Sequence, residues 1–386
     1  GFRQRAGLDY NNTYAPTGSM PWMRLLLVVA MHFDMITFSF GYTFDVEGAF
    51  LLSTLKEDMR VLFDGITYKL DKTLYGLKQA AYEWNKDLDA ELRRLGCVPS
   101  KVDPCFYIRR GKAGFLLLSA HVDDCMGAAE NDAVYQDFVN SLMFPMSEVG
   151  PLEFILKINC ERVGDVMLLS QPTYIQTIAE RFGLADANPK HTPMEVGCVM
   201  SKDQMPEKGS DEWKHMRDLE DGYSALYGCL NYASNCRPDI KGALGVLGRY
   251  LSNPGYAHWK ALKRVLVYLL TTKNRCLVIG RRAEDEKAPL VEMWVDADHG
   301  GYKDSGKSTS GGLMKVMGSS VKAWSKRQGA VNNSTTGAEL YALADMVRKM
   351  TVLHILLSEI GFTVPDTPIN TDSQTVIDMM KRGHPT

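Results

Sequence analysis

Two adjacent carboxylates, Asp123 and Asp124, interrupt the apolar stretch FLLLSAHVDDCMGAA (residues 115–129), with no lysine or arginine close by in sequence to balance them. Paired carboxylates repel and lose solvation when buried, so the pattern calls for positive charge nearby. A divalent cation would supply it. Three carboxylates around two Mg²⁺ ions, delivered with a nucleoside triphosphate, would satisfy the pair, and magnesium favours such hard oxygen ligands. Asp45 in TFDVEGAFL, at the end of a predicted strand, is the candidate third ligand, and Phe50 could wall a sugar pocket. Ordinary readings stand beside these. Aspartate is common in turns, so the pair could tip a solvated hairpin, and Phe50 could be plain core.

A second set of acids lies in the last hundred residues. Asp296 falls in a predicted strand (VEMWVDAD), Glu339 in the first turn of a long helix, and Asp372 at the end of a strand. Acids at separate element ends can hold two cations about 4 Å apart, which activates a water and stabilises the leaving oxygen of a phosphodiester. Here too alternatives stay open. Thr336 with Glu339 makes a T-x-x-E capping box, and Asp372 could N-cap the helix that follows. Asp296 and Asp298 could be surface acids sharing one strand face.

The elements that must position these acids follow from periodicity. FYIRR (106–110) and FLLLSAHV (115–122), separated by GKAG, predict adjacent strands. NDAVYQDFVNSLM spaces Val134, Phe138 and Leu142 four apart, a helical face. EFILKINCERV and VMLLS flank Gly164–Asp165, a two-residue hairpin signal, and Pro172 opens a helix through Phe182. Residues 186–212 hold prolines, glycines and charges with weak periodicity and read as a linker. A mostly helical segment follows, and Glu284, Asp285, Glu286 and Pro289 mark a second boundary. Beyond it come three strands and a helix from about Gly337 to Ile360, with Leu343, Val347, Met350, Leu353 and Leu357 on one face. A strand through PINTD and the helix SQTVIDMMKR complete an α/β pattern.

A chain of 386 residues is long enough for two or three cores, and 45% hydrophobic with 23% charged residues is ordinary for a globular protein. No apolar run is long enough to predict a membrane span; MRLLLVVAM (23–31) reads as a core helix. The eight cysteines form no C-x-x-C, so neither a zinc site nor a disulfide framework is expected, and a reducing compartment is the default. The net charge of −2 conceals a lopsided stretch. Between Ala225 and Arg282 there are ten lysines and arginines, among them Arg237, Lys241, Lys260, Lys263 and Arg264, against the single acid Asp239. Such a segment suits a polyanion, or a solvated basic face.

Longer blocks carry a family resemblance. The opening GFRQRAGLDYNNTYAP, then DVEGAFL, LYGLKQA, HVDD, LSQPTYI, TPM, RPDI, KRVLVYL, DAD, STSGG, AWSKRQ, AELYALA and TDSQTVI occur in the order found in copia-type retrotransposon polyproteins. The chain thus resembles the reverse transcriptase and ribonuclease H region of that family over essentially its whole length.

The resemblance implies a right-hand polymerase palm with partial fingers (residues 1–190), a linker with a basic helical thumb and connection (191–288), and a ribonuclease H-like α/β domain (289–386). It implies metal roles for Asp45, Asp123 and Asp124 in polymerisation and for Asp296, Glu339 and Asp372 in RNA cleavage. Phe50 would exclude a ribose 2′-OH, and Gln79 would position template and incoming nucleotide. His121 stands where the family usually has an aromatic residue, at a position expected to meet the primer. The basic segment would lie along the duplex. Expected partners are an RNA template, a DNA primer, their hybrid, dNTPs, Mg²⁺ (with Mn²⁺ as substitute), and the polyprotein's protease and integrase. No membrane is expected, and the location is a cytoplasmic virus-like particle or the nucleus. The chain reads as a fragment of something longer, ending before the His and fourth acid of the ribonuclease H motif. The alternative expectation is a catalytically dead relic that binds nucleic acid without turnover.

Overall fold

The computed structural model describes residues 2, 4–41, 53–143, 147–219, 222–302 and 304–382. Chain contacts divide it into two compact units: residues 1–156 with 355–362, and residues 157–354 with 363–386.

In the first unit, helix α1 (Met20–His32) is followed by β1 (Ile36–Gly41), the hairpin β2 (Thr54–Phe63) and β3 (Ile66–Lys72), and α2 (Ala80–Arg94). Then come β4 (Cys97–Pro99), β5 (Phe106–Gly111), β6 (Gly114–His121), β7 (Asp124–Ala129), α3 (Asp132–Ser141), β8 (Ser147–Pro151) and β9 (Phe154–Ile155). Six strands form one antiparallel sheet in the order β4-β5-β6-β7-β1-β8. Alternation decides its two faces. Leu116, Leu118 and Ala120 of β6 join Phe38, Trp84, Leu88 and Phe138 in one core under α2 and α3. That leaves Leu117, Met126 and Ala128 for the opposite face, where α1 packs on β6 and β7. Helix α1 is buried nearly all round, as its run of apolar residues requires. A glycine is obligatory at residue 127, where a Cβ would sit 2.3 Å from the Phe38 ring.

The hairpin β2–β3 turns on Asp64–Gly65, both at positive φ, the two-residue turn that such a dipeptide favours. Its strands carry charge on both faces, so no apolar alternation marks them in the sequence. Leu62, Phe63 and Ile66 at its tip are all more than half exposed.

The second unit opens with β10 (Ile158–Val163) and β11 (Val166–Ser170), the hairpin predicted at Gly164–Asp165, then α4 (Pro172–Arg181). Helices α5 (Asp211–Asp218), α6 (Tyr223–Ala233), α7 (Lys241–Leu247) and α8 (Tyr256–Thr271) follow. Leu226, Leu230, Leu244, Leu262 and Leu266 bind α4, α6, α7 and α8 around one apolar centre. After β12 (Leu277–Gly280), the chain lays down β13 (Val291–Tyr302), β14 (Lys307–Val316) and β15 (Ser319–Arg327). It ends with the long helix α9 (Thr335–Ile360), β16 (Ile369–Asn370) and α10 (Gln374–Arg382). This sheet has the order β15-β14-β13-β16, with β16 parallel to β13.

Helix α9 corrects one expectation. Leu353 and Leu357 are buried as predicted, but Val347 is 40% exposed. The buried line runs through Ala338, Ala342 and Met346 instead. Among the described residues, no helix is long and apolar enough to cross a membrane.

Candidate functional site

Asp123 and Asp124 sit where β6 turns into β7. His121 pairs with Asp124 across the ladder, so Val122 and Asp123 form the two-residue turn. Val122 adopts φ +57°, which its branched Cβ disfavours. The indole Nε1 of Trp84, from the buried face of α2, donates to the Val122 carbonyl at 2.8 Å and ties the turn to the core. A strained residue of this kind persists only where its surroundings hold it, and such residues concentrate at functional sites.

The electrostatics at this tip disfavour two bare charges. Burial pushes the Asp123 carboxyl above the usual range, Asp124 adds to the rise, and a hydrogen bond from Tyr75 opposes it. The Tyr75 hydroxyl stands 3.5 Å from Asp123 Oδ2. Burial also raises Asp124, with His121 opposing. Asp123 Oδ1 is buried and has no hydrogen-bond partner among the described residues. Two acids with raised pKa values and an unused oxygen fit a divalent cation. Asp45 and Phe50 lie outside the described residues.

His121 and Gln79 hold the chain's opening segment. His121 Nδ1 lies 3.0 Å from the Gly18 carbonyl, and the Gly18 amide donates to Ala120 at 3.0 Å. A Cβ at residue 18 would meet the Ala120 oxygen at 2.4 Å, so only glycine permits this approach. Gln79 is buried: it accepts from Gln4 at 2.8 Å and donates to the Asp9 carbonyl at 3.0 Å. Its amide is engaged by its own chain, whereas Tyr75, four residues earlier in LYGLKQA, is half exposed and meets Asp123. In the sequence Tyr75 carries a single signal, an aromatic residue in a glycine-bearing loop, which does not by itself point to Asp123.

The second set of acids converges. Ligand oxygens of Asp296 (β13), Glu339 (α9) and Asp372 (beyond β16) all lie within 4.8 Å of one another. Ser334 Oγ accepts from the Gly337 amide at 3.0 Å, so Ser334 caps α9 and Glu339 is not spent in a capping box. Helix α10 starts at Gln374, which puts Ser373 rather than Asp372 at its N-cap. Glu339 is buried, and burial raises its pKa first of all; Asp296 and Asp372 add to the rise, while the Ala297 amide opposes it. Its Oε2 has no hydrogen-bond partner among the described residues. Gly311 stands opposite Asp296 in the ladder and lines the same cleft. A cleft of about 540 Å³ runs past Asp296 and Asp372, with Trp294 in its wall. This donor set, too, fits divalent cations.

The basic residues divide into two kinds. Arg237 is buried and forks onto Asp239 at 3.0 and 2.7 Å, with further bonds to the Thr272 carbonyl and hydroxyl. Burial pushes the Asp239 carboxyl up, but its bonds from Arg237 and Tyr268 outweigh this and hold it below the usual range. Arg237 therefore knits the junction of α6, α7 and α8, which corrects its expected place against phosphate. Lys241 bonds Ser234. Arg264 pairs with Glu195 at 3.0 Å, Lys263 lies over the Trp259 ring, and Lys260 is exposed.

An antiparallel sheet backed by helices, presenting paired aspartates on a pinned hairpin, defines the palm of a template-directed polymerase. The chain belongs to the reverse transcriptase (RNA-dependent DNA polymerase) family, whose model matches residues 1–196, and it is of the copia retrotransposon type. It is 33% identical over 398 residues to the Retrovirus-related Pol polyprotein from transposon TNT 1-94 of Nicotiana tabacum, covering 99% of this chain and 29% of that polyprotein. To the corresponding polyprotein from transposon RE1 of Arabidopsis thaliana it is 30% identical over 381 residues, covering 96% and 25%. The chain thus spans between a quarter and a third of these relatives. Its fold is like that of the foamy viral protease-reverse transcriptase solved in complex with RNA/DNA hybrid, with a TM-score of 0.50 at 12% identity over 96% of this chain and 43% of that one.

Proposed function

We propose that this chain is an RNA-directed DNA polymerase of a copia-type retrotransposon, extending a DNA primer on an RNA template with dNTPs. The observation that carries this reading is the Asp123–Asp124 pair on a strained turn tied to the core by Trp84. Asp123 and Asp124, with Asp45, would hold Mg²⁺ or Mn²⁺. Bound there, the cations supply positive charge that acidifies the primer 3′-hydroxyl and offsets the charge of departing pyrophosphate. The chain's own residues do the positioning. Trp84 fixes the turn, Tyr75 orients Asp123, and Phe50 excludes a ribose 2′-hydroxyl. That the foamy viral enzyme was solved with an RNA/DNA hybrid supports the hybrid as ligand.

Primer extension on an RNA template with Mg²⁺ and dNTPs, beside Asp123→Asn, tests this. Extension by the native chain, lost in the variant, is expected. No extension from folded protein that still binds the hybrid would favour the other reading, a relic that binds without turnover.

A second activity has its own support in the Asp296–Glu339–Asp372 cluster. Residues 289–386 would form a ribonuclease H-like domain acting on RNA in hybrids, after the palm (1–190) and the linker and thumb region (191–288). RNA cleavage that persists in Asp123→Asn and disappears in Asp296→Asn would assign the two activities to separate sites.

A further inference from the structure

A pocket of about 340 Å³ opens in the second unit between α8 and the irregular segment that precedes α5. None of the acids of the two sites described above lines it. Its interior is apolar, with the thioethers of Met194 and Met200 in the wall. Positive charge gathers at its edge. Arg264 is already used: it pairs with Glu195 at 3.0 Å and donates to Thr192 Oγ1 at 3.0 Å, which closes the segment onto α8. That pair also neutralises the one carboxylate in the lining. Lys190, Lys260 and Lys263 all line the pocket and form no ion pair among the described residues, Lys263 lying over the Trp259 ring.

The pocket thus pairs an apolar interior with three lysines that lack a counter-charge, of which Lys190 and Lys260 do not also sit on an aromatic ring. That combination suits an anion carrying an apolar body, and pockets of about 300–1,000 Å³ are of the size that takes small ligands. Thioethers adapt their shape and pack favourably against aromatic rings. Among anions with a flat aromatic body, a nucleotide is the one a nucleic-acid enzyme meets constantly.

We propose that this pocket binds a nucleoside 5′-phosphate, its base against Met194 and Met200 and its phosphate toward Lys190 and Lys260. The ligand is either a free nucleotide or an unpaired unit of a strand. The choice of a nucleotide over other anions rests on the reverse transcriptase reading; the pocket itself does not.

Cys198, which lines the pocket, provides a local readout, and the exposed Cys276 an internal reference. The full chain is alkylated with iodoacetamide and both sites are followed by peptide mass spectrometry. The probes are dAMP, a short oligodeoxynucleotide, inorganic phosphate and decyl phosphate. At about ten times its Kd, dAMP or the oligonucleotide is expected to slow alkylation of Cys198 by about tenfold and leave Cys276 unchanged. Protection by both probes indicates a free nucleotide as ligand, and protection by the oligonucleotide alone indicates a strand. Lys190→Gln, on the irregular segment, and the double variant Lys190→Glu/Lys260→Glu should each weaken protection, with circular dichroism reporting their folding. Equal protection by inorganic phosphate, protection by decyl phosphate alone, or none by either nucleotide probe would overturn the proposal. Because the readout needs no turnover, Asp123→Asn should keep it. Loss of extension with protection intact then faults the polymerase reading, and the converse faults the pocket.

Discussion

The indole of Trp84 and the carbonyl of Val122 are 38 residues apart in sequence and joined by a 2.8 Å hydrogen bond. The bond reaches from the core face of α2 to the turn that carries Asp123, where Val122 stands at φ +57°. Trp84→Phe keeps an aromatic ring in the core and deletes the donor. Leaving a half-buried carbonyl unpaired costs about 1–3 kcal/mol. The variant is expected to lose stability in that range by urea denaturation and to require more Mg²⁺ for half-maximal extension. An unchanged Mg²⁺ requirement would mean that the turn holds its shape without Trp84.

Tyr75 bears on the same carboxylate from the other side. Its hydroxyl favours the charged form of Asp123, against burial and the repulsion of Asp124. Tyr75→Phe removes that counterweight, so the Asp123 pKa rises further. If extension needs Asp123 deprotonated, the acid limb of kcat/KM against pH moves to higher pH in the variant. A limb that stays in place while kcat falls would assign Tyr75 to substrate contact alone.

What could be read from the chain depended on how local the cause was. The strands 106–110 and 115–122, the Gly164–Asp165 turn and the Pro172 helix were legible because each is set by a few consecutive residues. The acids were legible as residue types, and their convergence was not. Asp296, Glu339 and Asp372 come from a strand, a helix and a loop, and the competing caps were excluded only once Ser334 and Ser373 were seen to occupy those places. Gln79 shows the limit most clearly. Its partners Gln4 and Asp9 lie some seventy residues away, and nothing local marks its amide as already engaged. On α9 the error was one of weighting, because Ala338 and Ala342 carry the buried line and alanine counts for little in a hydrophobic pattern.

The second acidic cluster makes stability depend on pH in a definite sense. Burial, then Asp296 and Asp372, raise the Glu339 pKa above its unfolded value. Between the two values the native state holds more protons than the unfolded chain, so stability falls as pH rises through that window, from about pH 4 upward. In EDTA the native chain should lose melting temperature relative to Glu339→Gln as pH rises through this window. Mg²⁺ should raise the melting temperature at neutral pH and do little at the acid end, where protons compete for the carboxylates. Asp296→Asn should melt higher than native in EDTA and lose the Mg²⁺-dependent rise. A native-like Mg²⁺ response in that variant would show that the cluster is not the binding site.

Arg237 and Lys260 separate the two uses of a basic residue. Arg237 makes a two-point pair with Asp239 and holds Thr272 besides, with its own side chain almost fully buried. Removing it strands the partly buried Asp239 carboxylate, and Arg237→Ala is expected to cost about 3 kcal/mol. Lysine cannot reproduce the fork, so Arg237→Lys should recover little of that. Neither variant should change the slope of hybrid affinity against salt once the protein is folded. Lys260→Ala is expected to do the opposite: stability within about 0.5 kcal/mol of native, and a salt slope smaller by about 1. Urea denaturation and hybrid binding at several salt concentrations measure both quantities. A reduced salt slope for folded Arg237→Lys would return Arg237 to the nucleic-acid surface.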